Sequence, residues 1–100
     1  GSPSAAGSLA EGLDDYRSLD YAEAAEAISA YLDRTDADLG EEQLRYYLAQ
    51  SLEESGRTDE AVREYELLLW LAPGSPWATY AARRLRLLSE VYVERVAVIE

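Results

Sequence analysis

The sequence predicts an all-α fold of five helices, and three observations carry that prediction. Apolar residues recur at three- and four-residue steps in five separate stretches, the period of an amphipathic helix. Residues that start or stop helices divide these stretches from one another. Two of the helices repeat one another at a fixed offset of 37 positions, so the chain reads as a stack of antiparallel helix pairs closed by a C-terminal capping helix.

Residues 1–7 are Gly, Ser, Pro and Ala, a composition expected of a disordered tag or linker, and residues 8–100 are expected to form one domain. The first pair is assigned to residues 8–34. Ser8 and Glu11 form a capping box that opens a short helix with Leu9, Leu13, Tyr16 and Leu19 on its apolar side. Gly12 within it costs roughly 1 kcal/mol relative to Ala, which makes this the weakest helix. Asp20 and Glu23 form a second box, and the helix that follows, ending near Arg34, carries Ala24, Ala25, Ile28, Tyr31 and Leu32 as its buried stripe.

The second pair is assigned to residues 39–72, launched by a third box of Asp38 and Glu41. Its first helix presents Leu44, Tyr47, Leu48, Ala49 and Leu52, and its second presents Ala61, Tyr65, Leu68 and Leu69. Between them Gly56 supplies a positive-φ stop, Thr58 is placed to cap, and Asp59 and Glu60 sit at the positive end of the helix dipole. The terminal helix, residues 75–98, begins with Ser75 as cap and Pro76 at the first helical position, and its apolar side is Ala78, Ala81, Leu85, Leu88 and Tyr92. Its β-branched end, Val91 to Ile99, is expected to fray or to dock on another part of the parent chain.

The 37-residue offset carries Ala24 onto Ala61, Ile28 onto Tyr65, Tyr31 onto Leu68, Leu32 onto Leu69 and Leu48 onto Leu85. The first helix fits one position out of register. The expected core is therefore Ala24, Ile28, Leu48, Ala49, Leu52, Ala61, Tyr65, Leu68 and Leu85.

Leu48, Ala49, Gly56, Ala61, Tyr65 and Pro73 stand at the spacings of the tetratricopeptide repeat, a 34-residue helix-turn-helix, and the chain resembles that family over roughly residues 9–92. Arg45 stands where the family has a tryptophan. Arg86 stands where a small residue would admit a further helix, which marks the fifth helix as terminal. The resemblance implies a right-handed stack whose concave face is lined by the first helix of each pair. Carried over, it places Tyr16 and Arg17, then Gln43, Tyr46, Gln50 and Glu53, then Tyr80, Arg83 and Leu87 on a surface that binds a partner protein or peptide. The connection Pro73-Gly74-Ser75-Pro76-Trp77-Ala78 is similar to the repeats of bacterial envelope proteins, such as the Tol-Pal-associated periplasmic repeat protein and the outer-membrane assembly lipoproteins. That narrower likeness implies a place in the periplasm or cell envelope, with a cytoplasmic one left open. Asp36 replaces the corresponding proline in the first repeat.

Charge narrows the partners further. Of the net charge of −11, all is carried by residues 1–60, with 15 Asp and Glu against 4 Arg, while residues 61–100 balance at 5 and 5. Such a surface repels nucleic acid and anionic membranes. No apolar run approaches the roughly 20 residues of a membrane-spanning helix, so the chain is expected to be soluble and not to insert. It has no Met, and reads as a processed or excised piece.

The absence of Cys, His and Lys removes the ordinary nucleophile-activating groups and metal ligands, so no catalytic, cofactor or metal residues are expected. Asp33, Asp36, Asp38 and Glu41 invite a calcium reading, but an EF-hand loop from Asp36 would have Gly40 and Tyr47 where it needs oxygen ligands. Arg83, Arg84 and Arg86 form the densest basic cluster. At about 100° per residue Arg83 and Arg86 share a side and Arg84 does not, so the cluster is read mainly as pairing with Glu53, Glu54 or Glu90, the alternative being that Arg83 engages an acidic partner. Trp70, Trp77 and the apolar tail support a second class of function, a structural module that forms homo-oligomers.

Overall fold

The computed structural model describes the backbone of residues 9–34 and 41–99 and the side chains of residues 10–33 and 41–89. Five helices follow in order: α1 (Leu9–Arg17), α2 (Tyr21–Arg34), α3 (Glu42–Glu54), α4 (Thr58–Leu71) and α5 (Pro76–Ile99). No strand occurs among the described residues. Each helix packs on the next and α3 also meets α5, giving a stack of 55 × 28 × 19 Å.

The core runs through the middle of the stack. Ala25, Ile28 and Leu32 of α2, Leu48, Ala49 and Leu52 of α3, Ala61, Tyr65 and Leu68 of α4, and Ala81 of α5 form one buried cluster. Ala24 is buried as well. The expected core is thus found with one exception. Leu85 is only half-buried against the cluster, because α5 rests on α3 and α4 with one side and meets no later described helix with the other.

Small residues set the closest approaches. Ala49 and Ala61 are fully buried beside Tyr65, which fills the volume they leave. Gly12 plays the same part in α1. A Cβ there would stand 2.9 Å from the Ala27 Cβ and 3.4 Å from the Ile28 Cγ1, so its propensity cost is offset by a helix contact that a larger residue would open.

The two helix pairs end their first helices in the same way. Gly56, at φ +89°, donates its N–H to the Glu53 carbonyl at 3.1 Å, and Arg57 donates to Leu52 at 2.8 Å. These are the two bonds of a Schellman turn. Leu19, at φ +66°, repeats them, its N–H reaching the Tyr16 carbonyl at 3.2 Å while that of Asp20 reaches Asp15 at 2.7 Å. Leu19 therefore stops α1 and points outward, 67% exposed, instead of extending its apolar side. Leu19 and Gly56 are 37 positions apart, as are the two ends of α2 and α4, so α1 is in register with the repeat after all. It had looked displaced because the equivalent side chains, Tyr16 and Glu53 among them, differ in kind.

Caps differ from expectation at two points. Thr58 is the first residue of α4, with Arg57 in the cap position and no side-chain cap bond. Helix α3 starts at Glu42 behind Glu41, also without a side-chain cap bond, so it begins later than a box at Asp38 would have it. Ser75 caps α5 as expected, its Oγ accepting from the Ala78 N–H at 3.1 Å. The readings for residues 1–8, Asp36, Asp38, Glu90 and the side chains of Leu9, Tyr92 and the tail from Val91 lie outside the described residues, although the backbone of α5 is helical to Ile99. Among the described residues no helix is long and apolar enough to cross a membrane.

Candidate functional site

Helices α1, α3 and α5 share one side of the stack, and aromatic side chains occupy it. Tyr46 and Tyr47 are consecutive, so a helical step of about 100° turns one ring toward α5 and the other toward α1. Tyr47 stacks on Tyr16 of α1 with centroids 4.3 Å apart and planes 21° apart, and Tyr16 in turn meets Tyr21 edge-on at 5.9 Å. On the other side Tyr46 packs against Trp77 at 5.6 Å, Tyr80 at 5.9 Å and the buried Tyr65 at 5.9 Å. Trp77 joins the two halves, edge-on to Tyr47 at 6.1 Å and to Tyr80 at 5.5 Å. The rings form an unbroken run from the start of α2 to the second turn of α5. Offset and edge-on pairs of this kind contribute about 0.5–1.5 kcal/mol each beyond the area they bury.

The hydrogen bonds made within the ring run join uncharged groups. The Tyr16 hydroxyl donates to the Gln50 Oε1, and the Gln43 Nε2 donates to the Tyr47 hydroxyl at 2.7 Å. Burial pushes the Tyr16 phenol up to about 12, with the neighbouring Tyr47 adding to it, and burial raises Tyr46 against the opposing pull of Arg84. Both phenols stay protonated at neutral pH. The surface offers π-faces, hydroxyls and amides.

Glu53 lies beneath this surface and is committed to its neighbours. It accepts from the Tyr65 hydroxyl at 2.8 Å, from the Arg84 Nε at 3.2 Å and from the Arg84 Nη2, and its side chain is largely buried. The carboxylate ties α3, α4 and α5 together. The same bonds raise the Arg84 pKa, chiefly through the hydrogen bond to Glu53, while burial and then the Glu53 bond raise that of Tyr65.

Most residues assigned to the concave face do gather here. Tyr16, Gln50, Gln43, Tyr46 and Tyr80 belong to the ring run or are bonded to it. Tyr80, 40% exposed, is followed along α5 by the exposed Arg83 and by Leu87 at 47%, three and seven residues on, which extend the stripe. Two residues depart from the assignment. Glu53 is consumed by Arg84 and Tyr65, and Arg17 points to solvent beside Asp14 at 3.5 Å. The basic cluster divides as its spacing predicted, Arg84 pairing inward while Arg83 and Arg86 are exposed and form no ion pair with a described residue.

Tyr21, Tyr47 and Trp77 are the members that sequence reasoning did not place in this surface. Tyr47 was assigned to the core stripe and Trp77 to an oligomer surface, yet Trp77 is half-buried among the rings. The signal for Tyr47 was its place beside Tyr46. Among the described residues no group of three or more His, Cys, Asp or Glu side chains is placed to hold a metal ion. Comparison of the chain with family models, with curated proteins and with solved structures finds no match in any of the three.

Proposed function

We propose that this chain is a non-catalytic protein-interaction module, built of tetratricopeptide-like helix pairs, that binds a segment of a partner polypeptide across the aromatic side of α1, α3 and α5. The observation that carries the reading is the unbroken run of partly exposed Tyr and Trp rings from Tyr21 to Tyr80. Such side chains supply large, stiff contact area at little entropic cost, which is why binding hot spots favour them. Tyr80, Arg83 and Leu87 extend that surface into solvent and are the residues a partner reaches first. The likeness of the Pro73 to Ala78 connection to envelope-protein repeats supports a partner in a bacterial envelope assembly.

Selection of displayed peptides on the immobilised protein tests the reading. Binders are expected to lose most of their affinity for Leu87→Ala, an exposed side chain outside the ring contacts, and for Tyr80→Ala, checked for folding because it also gives up contacts with Tyr46 and Trp77, and to keep it for Trp70→Ala on α4. Selected peptides that bind all three variants equally would refute the aromatic surface as the binding site.

A second reading, homo-oligomerisation, is favoured by Trp70, 79% exposed, with the exposed Leu67 one turn before it. Sedimentation equilibrium distinguishes them. A dimer dissolved by Trp70→Ala supports the second reading, and a monomer at all concentrations removes it.

A further inference from the structure

The aromatic side has a hydrogen-bond polarity as well as ring faces. The Gln50 Oε1 is occupied by the Tyr16 hydroxyl, so the free part of that amide is its Nε2, a donor. The Tyr47 hydroxyl accepts from the Gln43 Nε2 at 2.7 Å, which leaves its own proton to be given elsewhere. Trp77, half-buried among Tyr46, Tyr47 and Tyr80, carries an indole N–H that can only donate. None of these three donors has an acceptor among the described residues.

Acceptors are scarcer. The Glu53 carboxylate is taken by Tyr65 and Arg84. The exposed Glu54 and Arg83 stand one turn beyond Gln50 and Tyr80, at the margins of the run. Between those margins the surface presents ring faces and donors.

A segment that fits must bring apolar surface and free carbonyl oxygens, and few N–H groups of its own. An extended strand carries an N–H at each residue, and each one covered by the rings needs an acceptor. A helix spends its carbonyls on its own ladder. A proline-rich segment in the polyproline II conformation has no internal hydrogen bonds, so its carbonyls are free, and its prolines have no N–H to satisfy.

We infer, taking the aromatic side to be the binding surface, that its occupant is a proline-rich segment of a partner polypeptide in the polyproline II conformation. Pyrrolidine rings lie on the faces of Tyr47, Trp77 and Tyr80. Carbonyl oxygens between them accept from the Gln50 amide, the Tyr47 hydroxyl and the Trp77 indole. The conformation exists before binding, so little chain freedom is lost in the complex.

Calorimetric and amide chemical-shift titrations of the intact protein with capped octaproline test the inference, with capped Leu-Ser-Ser-Leu-Ser-Ser-Leu-Ser as an apolar peptide that keeps its N–H groups. Octaproline is expected to bind saturably and to move the indole N–H signal of Trp77 while that of Trp70 stays in place, and the leucine peptide to bind at least about tenfold more weakly. Gln50→Glu keeps an acceptor for the Tyr16 hydroxyl and puts a carboxylate where the donor was. It should weaken octaproline about tenfold without moving the unfolding midpoint, while Trp70→Ala changes nothing. Equal binding of the two peptides, an unmoved Trp77 indole signal at saturation, or a Gln50→Glu variant that binds octaproline like the parent would each overturn the inference. Displayed peptides that need Leu87 but carry no proline, with octaproline inert, would overturn it too and leave the binding surface standing. Displayed peptides indifferent to every substitution on that side would remove the surface itself.

Discussion

The α1–α2 pair and the α3–α4 pair share one backbone plan and fill it with different chemistry. The turn that Gly56 makes without strain is made by Leu19 in the first pair. Where the second pair has Glu53 bonded to Tyr65, the equivalent residues of the first are Tyr16 and Ile28, and the tie is replaced by packing. Where the second crosses through Ala49, the first crosses through Gly12. The second pair is thus held by hydrogen bonds among three helices, and the first by close contact and by the reach of Tyr16 to Tyr47 and Gln50. A repeat, on this evidence, constrains where the chain turns more tightly than what holds it there.

The largest break in that comparison is expected from Glu53→Ala. It leaves the Tyr65 hydroxyl and the Arg84 guanidinium without their acceptor, at a cost of about 3 kcal/mol. Denaturant titration checks this, and a loss below about 1 kcal/mol would show that water replaces the carboxylate without penalty.

Gly12→Val follows. Its branched side chain has no room against Ala27 and Ile28, and the variant should lose about 2 kcal/mol by overpacking. The loss is local: amide exchange should accelerate throughout α1 while α3 and α4 keep their protection, and uniform acceleration would count against the separation of the two pairs.

Leu19→Gly has the opposite sign. It removes the left-handed strain of an exposed leucine and should gain about 1 kcal/mol, while Gly56→Leu should lose a similar amount. Equal midpoints for Leu19→Gly and the parent would mean that Leu19 relaxes its turn at no cost.

The smallest effect is one of pH and concerns Glu64. Burial raises its folded-state pKa above the ordinary value of 4.5, so its protonation favours the fold. That contribution is complete below 4.5 and is lost as pH rises through the folded value, which leaves the ionised group unfavourable at neutral pH. Glu64→Gln should therefore be the more stable protein at pH 7, with the difference shrinking as pH falls toward the ordinary carboxylate range. A difference independent of pH would assign the effect to packing.

The helix plan was legible because it rests on local signals. Periodicity fixed α2 and α4, Gly56 fixed a turn, and Ser75 with Pro76 fixed the start of α5. Leu19 was misread because leucine at a left-handed position has no sequence signature; only its 37-residue distance from Gly56 marks it. The aromatic residues of the candidate site were recognisable one by one, but their joining through Tyr47 and Trp77 depends on how helices cross, which periodicity does not report. Glu53 carried two readings, a binding residue and a partner of the arginine cluster, and spacing did not choose between them; Arg84 takes it. The partners of Glu53 lie 12 and 31 positions away, on other helices.

The two tryptophans occupy opposite environments, and light can tell them apart. Trp70 stands in water on α4, while Trp77 is wedged among Tyr46, Tyr47 and Tyr80. Acrylamide, which carries no charge for the acidic surface to repel, will quench Trp70 first and leave an emission shifted to the blue from Trp77. That residual band reads the aromatic side alone, and energy arriving from the surrounding tyrosines makes it sensitive to whatever displaces a ring. The protein carries its own optical reporter at the place where a partner is expected to land, with an internal reference on the other side of the stack.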